Sequence, residues 1–338
     1  MTGPLPRLAR ALQDRLRPPL PPAPRRAALR PALVIPVRDD AAGLDRLLAQ
    51  VRALDTFAQI VVVDDGSDPP VAPAPDITLL RHAQPLGGGV ARNAGLAAVQ
   101  SAHLMFLDAD DLPGAGLPDL LCDLGQQAAP FDFCLFKYAD SRVSAEEIWG
   151  QPDWDERFWE AAGLAIGALR AAPPPVWPLL AQTANYPWNK IYRTAFLRDN
   201  GIGCATTPLH QDIALHWGGF LAARHVLVSD RICVWHHVSA AGTRLSNRAG
   251  PERLAVFAGL APAVAAAERA GPVWQAALAR FSLGLLDWSA RQIDPALQGQ
   301  LRSAERDWLA QSIAPWLPAI DARDPALATQ IRARMAAP

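Results

Sequence analysis

Cysteine and long hydrophobic runs are both scarce in this chain of 338 residues. The four cysteines, Cys122, Cys134, Cys204 and Cys233, show neither CxxC spacing nor a paired framework. This excludes a zinc ribbon or a disulfide scaffold and predicts reduced thiols in a cytoplasmic protein. Uncharged apolar runs stay below the ~18 residues that a membrane-spanning helix needs, and the N-terminus lacks the apolar stretch of a secretory signal. The sequence predicts a protein without a transmembrane segment.

An excess of positive charge is absent as well, since the formal net charge is −1. Residues 1–30 contain seven arginines and one aspartate, so they carry +6 and leave −7 on the remainder. A basic nucleic-acid-binding body is therefore disfavoured, and no nucleic-acid partner is expected. The length allows one large catalytic domain with an appendage.

Residues 1–30 form a basic, proline-rich tail that is predicted to be disordered or weakly helical. Within it, residues 4–17 place leucines on one helical face and arginines around them. One interpretation is a solvated tail. The other is docking to a partner or peripheral contact with the inner face of a membrane.

Strand-like and helix-like segments alternate from residue 31 onward. Apolar and β-branched runs predict strands, and leucines at helical spacing predict helices. The alternation indicates an α/β protein, with a single α/β/α sandwich and a mostly parallel sheet over residues 31–247. Amphipathic periodicity predicts an all-helical appendage over 250–338. The strands are predicted at 31–37, 58–67, 76–82, 103–111 and 131–140, helices at 41–54 and 87–101, and a loop and helix at 185–202.

Acidic residues follow the strand in "MFLDADD" (105–111). If this strand stays extended, Asp108 and Asp110 project to the same side. Two such carboxylates suit a divalent cation with oxygen ligands, Mg²⁺ or Mn²⁺. The alternative is a solvated acidic turn without a metal ion.

Two further blocks precede this DxD pair. "VVVDDGS" ends a strand with Asp64 and Asp65, and "GGGVARNAG" places Arg92 and Asn93 after a glycine turn that opens a helix. Such a turn can meet a nucleotide phosphate or base. A dinucleotide-binding fingerprint has its glycines directly after the first strand and its acid later, so the order here argues against a dehydrogenase.

The blocks "VIPVRDD", "VVVDDGS", "GGGVARNAG" and "MFLDADD", in this order, resemble a family 2 nucleotide-sugar glycosyltransferase with the GT-A fold. The resemblance implies that the second-strand aspartates hold the nucleoside and that Asp108 and Asp110 hold the ribose and the metal ion. The nucleotide-sugar site expected from it comprises Pro36, Asp64, Asp65, Arg92, Asn93, Asp108 and Lys190.

Two later segments extend the resemblance. "YPWNKIYRTAFL" (186–197) is similar to the family's WNK block, and "HQDIALHW" (210–217) is similar to the segment whose aspartate is the general base. The resemblance makes Asp212 the candidate base, whereas a purely structural reading makes it the N-cap of the following helix. Lys190 would contact a phosphate or lie at a solvated helix terminus. The acceptor side is predicted at Trp188, Asn189 and Gln211, where Gln211 replaces the family's usual glutamate.

The histidines leave alternatives open. In "WHHVSAAGTRLS" (235–246), His236 is a candidate metal ligand, or the adjacent pair is structural. His210, Asp212 and His216 could instead form a zinc site. No cysteine or other strong ligand lies nearby to complete such a site, which argues against it.

The resemblance predicts an inverting, metal-dependent glycosyltransferase of surface glycan or polysaccharide biosynthesis. The expected donor is a nucleoside-diphosphate sugar, above all a UDP-sugar, and the acceptor a glycan or a lipid-linked molecule. A sugar-1-phosphate nucleotidyltransferase and a non-catalytic nucleotide-binding or docking module are the rival interpretations.

Overall fold

The computed structural model describes residues 28–143, 151–237 and 248–337. The predicted basic segment 4–17 lies outside these residues. Within them, the chain forms a nine-stranded sheet with helices on both faces. Its first half is parallel, with the spatial order β3, β2, β1, β4. These strands are β1 (Ala32–Val37), β2 (Gln59–Asp64), β3 (Thr78–Arg81) and β4 (His103–Phe106).

The second half of the sheet is mixed rather than mostly parallel. β8 (Lys190–Arg193) runs antiparallel to both β4 and β6 (Phe133–Asp140). β9 (Val226–His236) is parallel to β6, while the short strands β5 (Leu112–Pro113) and β7 (Arg170–Ala171) pair with it in antiparallel fashion. Sequence reasoning missed β8, which lies inside the predicted loop and helix at 185–202.

Alternate residues of β1 enter two different cores. Ala32 and Val34 belong to one hydrophobic cluster, and Leu33 and Ile35 belong to the other. Burial on both faces explains why β1 has no polar alternation in its sequence. α1 (Ala41–Leu54) and α3 (Leu117–Gly125) cover one face, whereas α2 (Gly88–Ala98) and α7 (Asp212–Ala222) cover the other.

Short helices connect the later strands. The C-terminal region is helical, as predicted, and its buried side chains belong to the same hydrophobic cluster as Ala32 and Val34. The described helices contain none that is long and apolar enough to cross a bilayer. The remaining helices are α4 (Asp153–Ala161), α5 (Trp177–Leu180), α6 (Thr194–Asp199), α8 (Val256–Ala270), α9 (Pro272–Gln292), α10 (Gln298–Trp308), α11 (Leu317–Asp321) and α12 (Pro325–Ala336).

The register aligns the carboxyl ends of the parallel strands. Val37 lies opposite Asp64, and Asp64 lies opposite Arg81. On the other side of β1, Val34 lies opposite Phe106, the last residue of β4. The turns that follow β1, β2 and β4 therefore emerge along one edge of the sheet, where ligand crevices of open α/β sheets form.

Candidate active site

A broad cleft of about 2210 Å³ opens at this edge of the sheet. The turns after β1, β2 and β4 form one side of it, and α4, the start of α7 and one face of α9 contribute much of the remainder. Several residues predicted from sequence line the cleft together: Pro36, Asp65, Arg92, Asp108, Asp110, Trp188, Gln211, Asp212 and His236.

Three carboxylates after β4 form a cluster that we call the acidic rim: Asp108, Asp110 and Asp111. One oxygen of each lies within 4.8 Å of the others. Asp111 is fully buried, and its Oδ1 accepts from His236 Nδ1 at 2.8 Å and from the His237 amide at 3.1 Å. Its Oδ2 has no hydrogen-bond partner among the described residues. An orphaned buried oxygen beside two further carboxylates fits the oxygen-ligand chemistry of Mg²⁺ or Mn²⁺.

Burial and His236 act in opposite directions on Asp111. Burial raises the pKa of Asp111, as does the charge of Asp108, and this outweighs the lowering by His236. For His236, burial lowers the pKa, but the carboxylates of Asp111 and Asp140 raise it overall. The predicted metal ligand His236 uses its Nδ1 for the bond to Asp111. Only its Nε2 could therefore act as a ligand atom.

Arg92 lies on the inner side of the rim. Its side chain is almost fully buried, and Nη2 donates to Asp108 Oδ1 at 2.5 Å. Burial alone would lower the pKa of Arg92, but the charge of Asp108 raises it, so the guanidinium stays charged. Arg92 Nε lacks a hydrogen-bond partner among the described residues. Arg92 therefore offsets part of the negative charge of the rim.

Asp65 fastens the glycine turn before α2. Its Oδ1 accepts from the Leu86 amide at 2.9 Å and lies 2.7 Å from His82 Nδ1, and its Oδ2 accepts from the Gly87 amide at 2.8 Å. The amide of Gly87, which sequence reasoning offered to a phosphate, is thus used inside the protein. Gly87 has a φ of 100°, a backbone conformation that strongly favours glycine.

Asp212 is the first residue of α7 and faces the cleft. The N-cap position belongs to Gln211, so the alternative in which Asp212 is the N-cap does not hold. Burial raises the pKa of Asp212 to about 6, while Arg92 and Lys190 act in the opposite direction. A carboxyl group with this pKa is mostly ionised at neutral pH and can still accept a proton readily, as a general base must.

The loop before α7 packs closely against the start of α2. A Cβ on Gly89 would lie 2.2 Å from the Ala205 carbonyl oxygen and 2.9 Å from Gln211 Cβ. The second glycine of the turn, Gly88, leaves space for Gln211 Nε2 and Arg92 Nη1, each 3.2 Å from an added Cβ. The glycines therefore bring Arg92 and the Asp212 segment together, which a bulkier turn would prevent.

Aromatic rings support the β8 side of the cleft. Tyr186 and Trp188 stack with their centroids 4.4 Å apart, and Trp188 lies 4.9 Å from the His236 ring. Tyr138 meets Trp188 edge-on at 5.0 Å. These rings fix His236, and through it Asp111, from behind.

Four predicted site residues lie behind the cleft wall rather than on it. Asp64 is fully buried and accepts from the Ser67 and Val71 amides, at 2.8 and 3.1 Å, and from Arg81. Although burial raises the pKa of Asp64, these hydrogen bonds and the charge of Arg81 lower it overall. Asn93 exchanges two 2.8 Å hydrogen bonds with the backbone of Cys204. Both side chains hold loops in place.

Lys190 and Asn189 are the other two. Lys190 is 1% exposed in β8, and its Nζ donates to the Tyr186 carbonyl at 2.9 Å and to Asn189 Oδ1 at 2.6 Å. Burial lowers the pKa of Lys190 to about 7. Neither a phosphate on the cleft surface nor a solvated helix terminus matches this position. The zinc alternative also fails, because His216 is buried with Nε2 bonded to the Ala181 carbonyl.

Sequence reasoning missed Asp155 on α4. Its carboxylate lines the cleft, accepts from the Tyr138 hydroxyl at 2.8 Å and from the Ala184 amide at 2.7 Å, and burial raises its pKa to about 6. No motif in the sequence marked this aspartate. Asp111 was part of a quoted block, yet only the fold shows it joining the rim.

Comparisons with known proteins agree with the fold and with the sequence blocks. Residues 32–124 match the model for "Glycosyl transferase family 2". A pre-mycofactocin glycosyltransferase of Mycobacterium tuberculosis is 40% identical over 119 residues. This match covers 32% of the chain and 24% of the relative, so the chain matches about a quarter of that protein's length. The predicted family resemblance is confirmed for this segment.

Solved structures extend the likeness to the whole fold. Residues 1–349 of S. aureus TarS, in complex with UDP-GlcNAc, superpose with a TM-score of 0.66 at 17% identity, covering 91% of this chain and 88% of TarS 1–349. A longer S. aureus TarS structure gives a TM-score of 0.59 at 17% identity, with 90% and 53% covered. At such identity the likeness shows the fold, and it confirms the predicted GT-A architecture.

Proposed function

From the match of residues 32–124 to glycosyl transferase family 2, we propose that the protein transfers a sugar from a nucleoside-diphosphate sugar to an acceptor hydroxyl, with inversion and with a divalent cation, Mg²⁺ or Mn²⁺. One observation carries the proposal. Asp65, Arg92, the acidic rim and Asp212 come from four separate parts of the sequence, and they meet in one cleft. A solvated acidic turn would require no such convergence.

The acidic rim would hold the cation through carboxylate oxygens of Asp108, Asp110 and Asp111. When bound, the cation supplies a positive charge that offsets the charge developing on the departing diphosphate. Arg92, fixed by Asp108, adds a permanent positive charge on the same side of the cleft. Asp65, His236 and Trp188 act behind these groups by holding the glycine turn and Asp111 in position.

Asp212 is the proposed general base. Its carboxylate takes the proton from the acceptor hydroxyl, the acceptor oxygen forms a bond to the anomeric carbon, and the bond from that carbon to the diphosphate oxygen breaks. Attack from the face opposite the leaving group inverts the anomeric centre. With a pKa of about 6, Asp212 is ionised at neutral pH and ready for this step.

UDP-sugars are the first donors to test, because a TarS structure with this fold contains UDP-GlcNAc. We propose a glycan or lipid-linked acceptor in surface glycan or polysaccharide synthesis. The four free cysteines suit a cytoplasmic location, with peripheral contact at the inner face of the membrane as part of the proposal.

A thermal-shift screen of nucleotide sugars, with and without Mn²⁺, tests the proposal, followed by an assay of metal-dependent nucleotide-sugar hydrolysis. We expect a nucleoside-diphosphate sugar to raise the melting temperature only with the metal ion, and UDP release to follow. Pyrophosphate release from UTP and a sugar 1-phosphate would instead identify a nucleotidyltransferase. Binding without turnover, with every donor and acceptor tried, would identify a docking module.

A further inference from the structure

The side of the cleft formed by the C-terminal region is rich in arginine. We call Arg248, Arg253, Arg280 and Arg291 the arginine wall; all four line the cleft, and the only acid that this region adds to the lining is Asp287. The contrast with the rest of the protein is large, because residues 31–338 carry a formal charge of −7. A cluster of positive charge in an otherwise acidic domain suggests that this surface binds an anionic ligand.

Ion pairs within the protein neutralise only part of this wall. Asp287 is already paired with Arg334 at 2.6 Å, and Arg280 is paired with Asp324. Arg248 and Arg291 are exposed, and neither has an ion-pair partner among the described residues. At least two guanidinium groups therefore face the cleft with their charge available to a ligand.

The wall is built into the structure. Arg253 is fully buried, its Nε donates to the Arg248 carbonyl at 2.6 Å, and its guanidinium lies 4.5 Å from the Trp288 ring centroid. The Trp288 ring meets His210 edge-on at 6.1 Å. His210 is two residues before Asp212, so the arginine wall packs against the segment that carries the proposed base.

The donor has no need of this wall if it binds at the acidic rim. A nucleoside diphosphate would be held there by the metal ion and Arg92, on the side made by the strand ends. The acceptor must approach Asp212 from elsewhere in the cleft, and the arginine wall lines the same cleft as Asp212. Guanidinium groups bind phosphate and carboxylate groups through paired N–H donors.

We propose that the arginine wall binds an anionic acceptor, whose phosphate or carboxylate groups lie along Arg248 and Arg291 while a hydroxyl group reaches Asp212. This inference rests on the proposed function, because it takes Asp212 as the base. It adds the chemical class of the acceptor, which neither the fold nor the family match assigns. Trp288 offers an aromatic edge to a sugar or polyol part of the same molecule.

The test measures binding of two fluorescently labelled polyanions, polyphosphate and polygalacturonate, to the full chain in the presence of UDP and Mn²⁺. Neutral dextran is the comparison polymer. We expect at least one polyanion to bind, dextran to bind far more weakly, and the double variant Arg248→Gln/Arg291→Gln to weaken the polyanion roughly tenfold, or about threefold per arginine. Whichever polymer responds distinguishes phosphate from carboxylate.

Arg269→Gln is the matched control, since Arg269 is an exposed arginine of the same region that does not line the cleft. Equal weakening in Arg269→Gln, or unchanged polyanion binding in the double variant, would overturn the inference. UDP and Mn²⁺ binding is measured separately in each variant and should stay unchanged. If the unmodified protein does not bind nucleotide, the result counts against the proposed function. If it binds nucleotide but binds the polyanion no better than the double variant does, the result counts against the arginine wall alone.

Discussion

The acidic rim and the arginine wall face the same cleft, yet they are built in opposite ways. The three residues of the rim fall within four positions, 108–111, just after one strand, and their main counter-charge, Arg92, comes from the preceding helix. The wall collects arginines spread over 44 positions, from 248 to 291, on an irregular segment, a 3₁₀ turn and a long helix. In the proposed roles, the charge concentrated for a small cation is local in sequence, whereas the charge spread for an extended ligand is not.

This difference also explains what each surface tolerates. A cation site needs its oxygens at fixed short distances, so each carboxylate is indispensable. An extended anion can shift along several exposed guanidinium groups, and each of these contributes little alone. The following changes are ordered from the largest expected effect to the smallest.

Asp212→Asn should separate chemistry from binding at both surfaces. Removal of a general base lowers the turnover number about 10³-fold, because base catalysis contributes about 10²–10⁴-fold. Nucleotide and polyanion binding should remain close to the original values. Sugar transfer or donor hydrolysis measures the turnover number, and calorimetric titration measures nucleotide binding. Unchanged turnover would exclude Asp212 as the base.

The same variant has a pH signature. Because burial raises the pKa of Asp212 to about 6, the original enzyme should lose activity as the pH falls through about 6 and the carboxylate takes up a proton. In Asp212→Asn the residual activity should lose this limb. If the limb persists, Asp155 is the next carboxyl group to replace, since burial also raises its pKa to about 6.

Asp110→Asn should damage the acidic rim and spare the arginine wall. We expect about 10²-fold lower turnover and loss of Mn²⁺-dependent nucleotide binding, because one of the few ligand oxygens loses its charge. Polyanion binding should not change. Asp119→Asn, which alters an exposed aspartate on α3 away from the cleft, is the control and should behave as the original protein.

Gly89→Ala should disturb the contact between the start of α2 and the loop before α7. The new Cβ would lie 2.2 Å from the Ala205 carbonyl, so the α2 turn or the loop before α7 must move, at a cost of about 1–3 kcal/mol in unfolding free energy. Gly299→Ala on α10 meets nothing within 4 Å and should be neutral or slightly stabilising. Urea unfolding of both variants measures the difference, and equal stability would contradict the close contact.

Lys190→Met tests a cation that belongs to neither surface. Loss of the bonds to the Tyr186 carbonyl and Asn189 should cost about 1–2 kcal/mol. Because the folded-state pKa is lowered to about 7, the unfolded state binds more protons between about pH 7 and 10, so the original protein gains stability as the pH rises through that range.

The Met variant should lack this gain, and the difference between the two proteins should therefore be larger at about pH 9 than at about pH 6. Thermal unfolding at the two pH values gives the comparison. A constant difference would show that the Lys190 ammonium keeps its ordinary pKa.

Sequence reasoning could predict the first half of the fold because parallel strands buried on both faces leave continuous apolar runs. The helix at 41–54 was predicted with the bounds that the structure shows. β8 was missed because four residues, Lys190–Arg193, start with a charged side chain whose burial depends on contacts elsewhere in the chain. A lysine in a short segment resembles a loop until its partners are known.

The candidate site divides in the same manner. The acids that follow β2 and β4 were visible as blocks, but their division of labour was not: of the adjacent pair Asp64 and Asp65, one holds a buried loop and the other lines the cleft. Side-chain direction at a turn depends on which amides approach, and this is set by the fold. The arginine wall was not predicted for another reason. The sequence of α9 showed only the amphipathic periodicity of a helix that packs against its neighbours.

Trp217 carries a consequence for how the gene can be shortened. This α7 residue is fully buried, with Phe281 of α9 at 5.2 Å and Trp274 at 6.3 Å between ring centroids. A chain that ended at residue 247 would lack these two rings and would expose Trp217 to water. Trp217 lies on the helix that begins with Asp212. Exchange of the C-terminal region between relatives would therefore also exchange side chains that pack against the helix carrying Asp212.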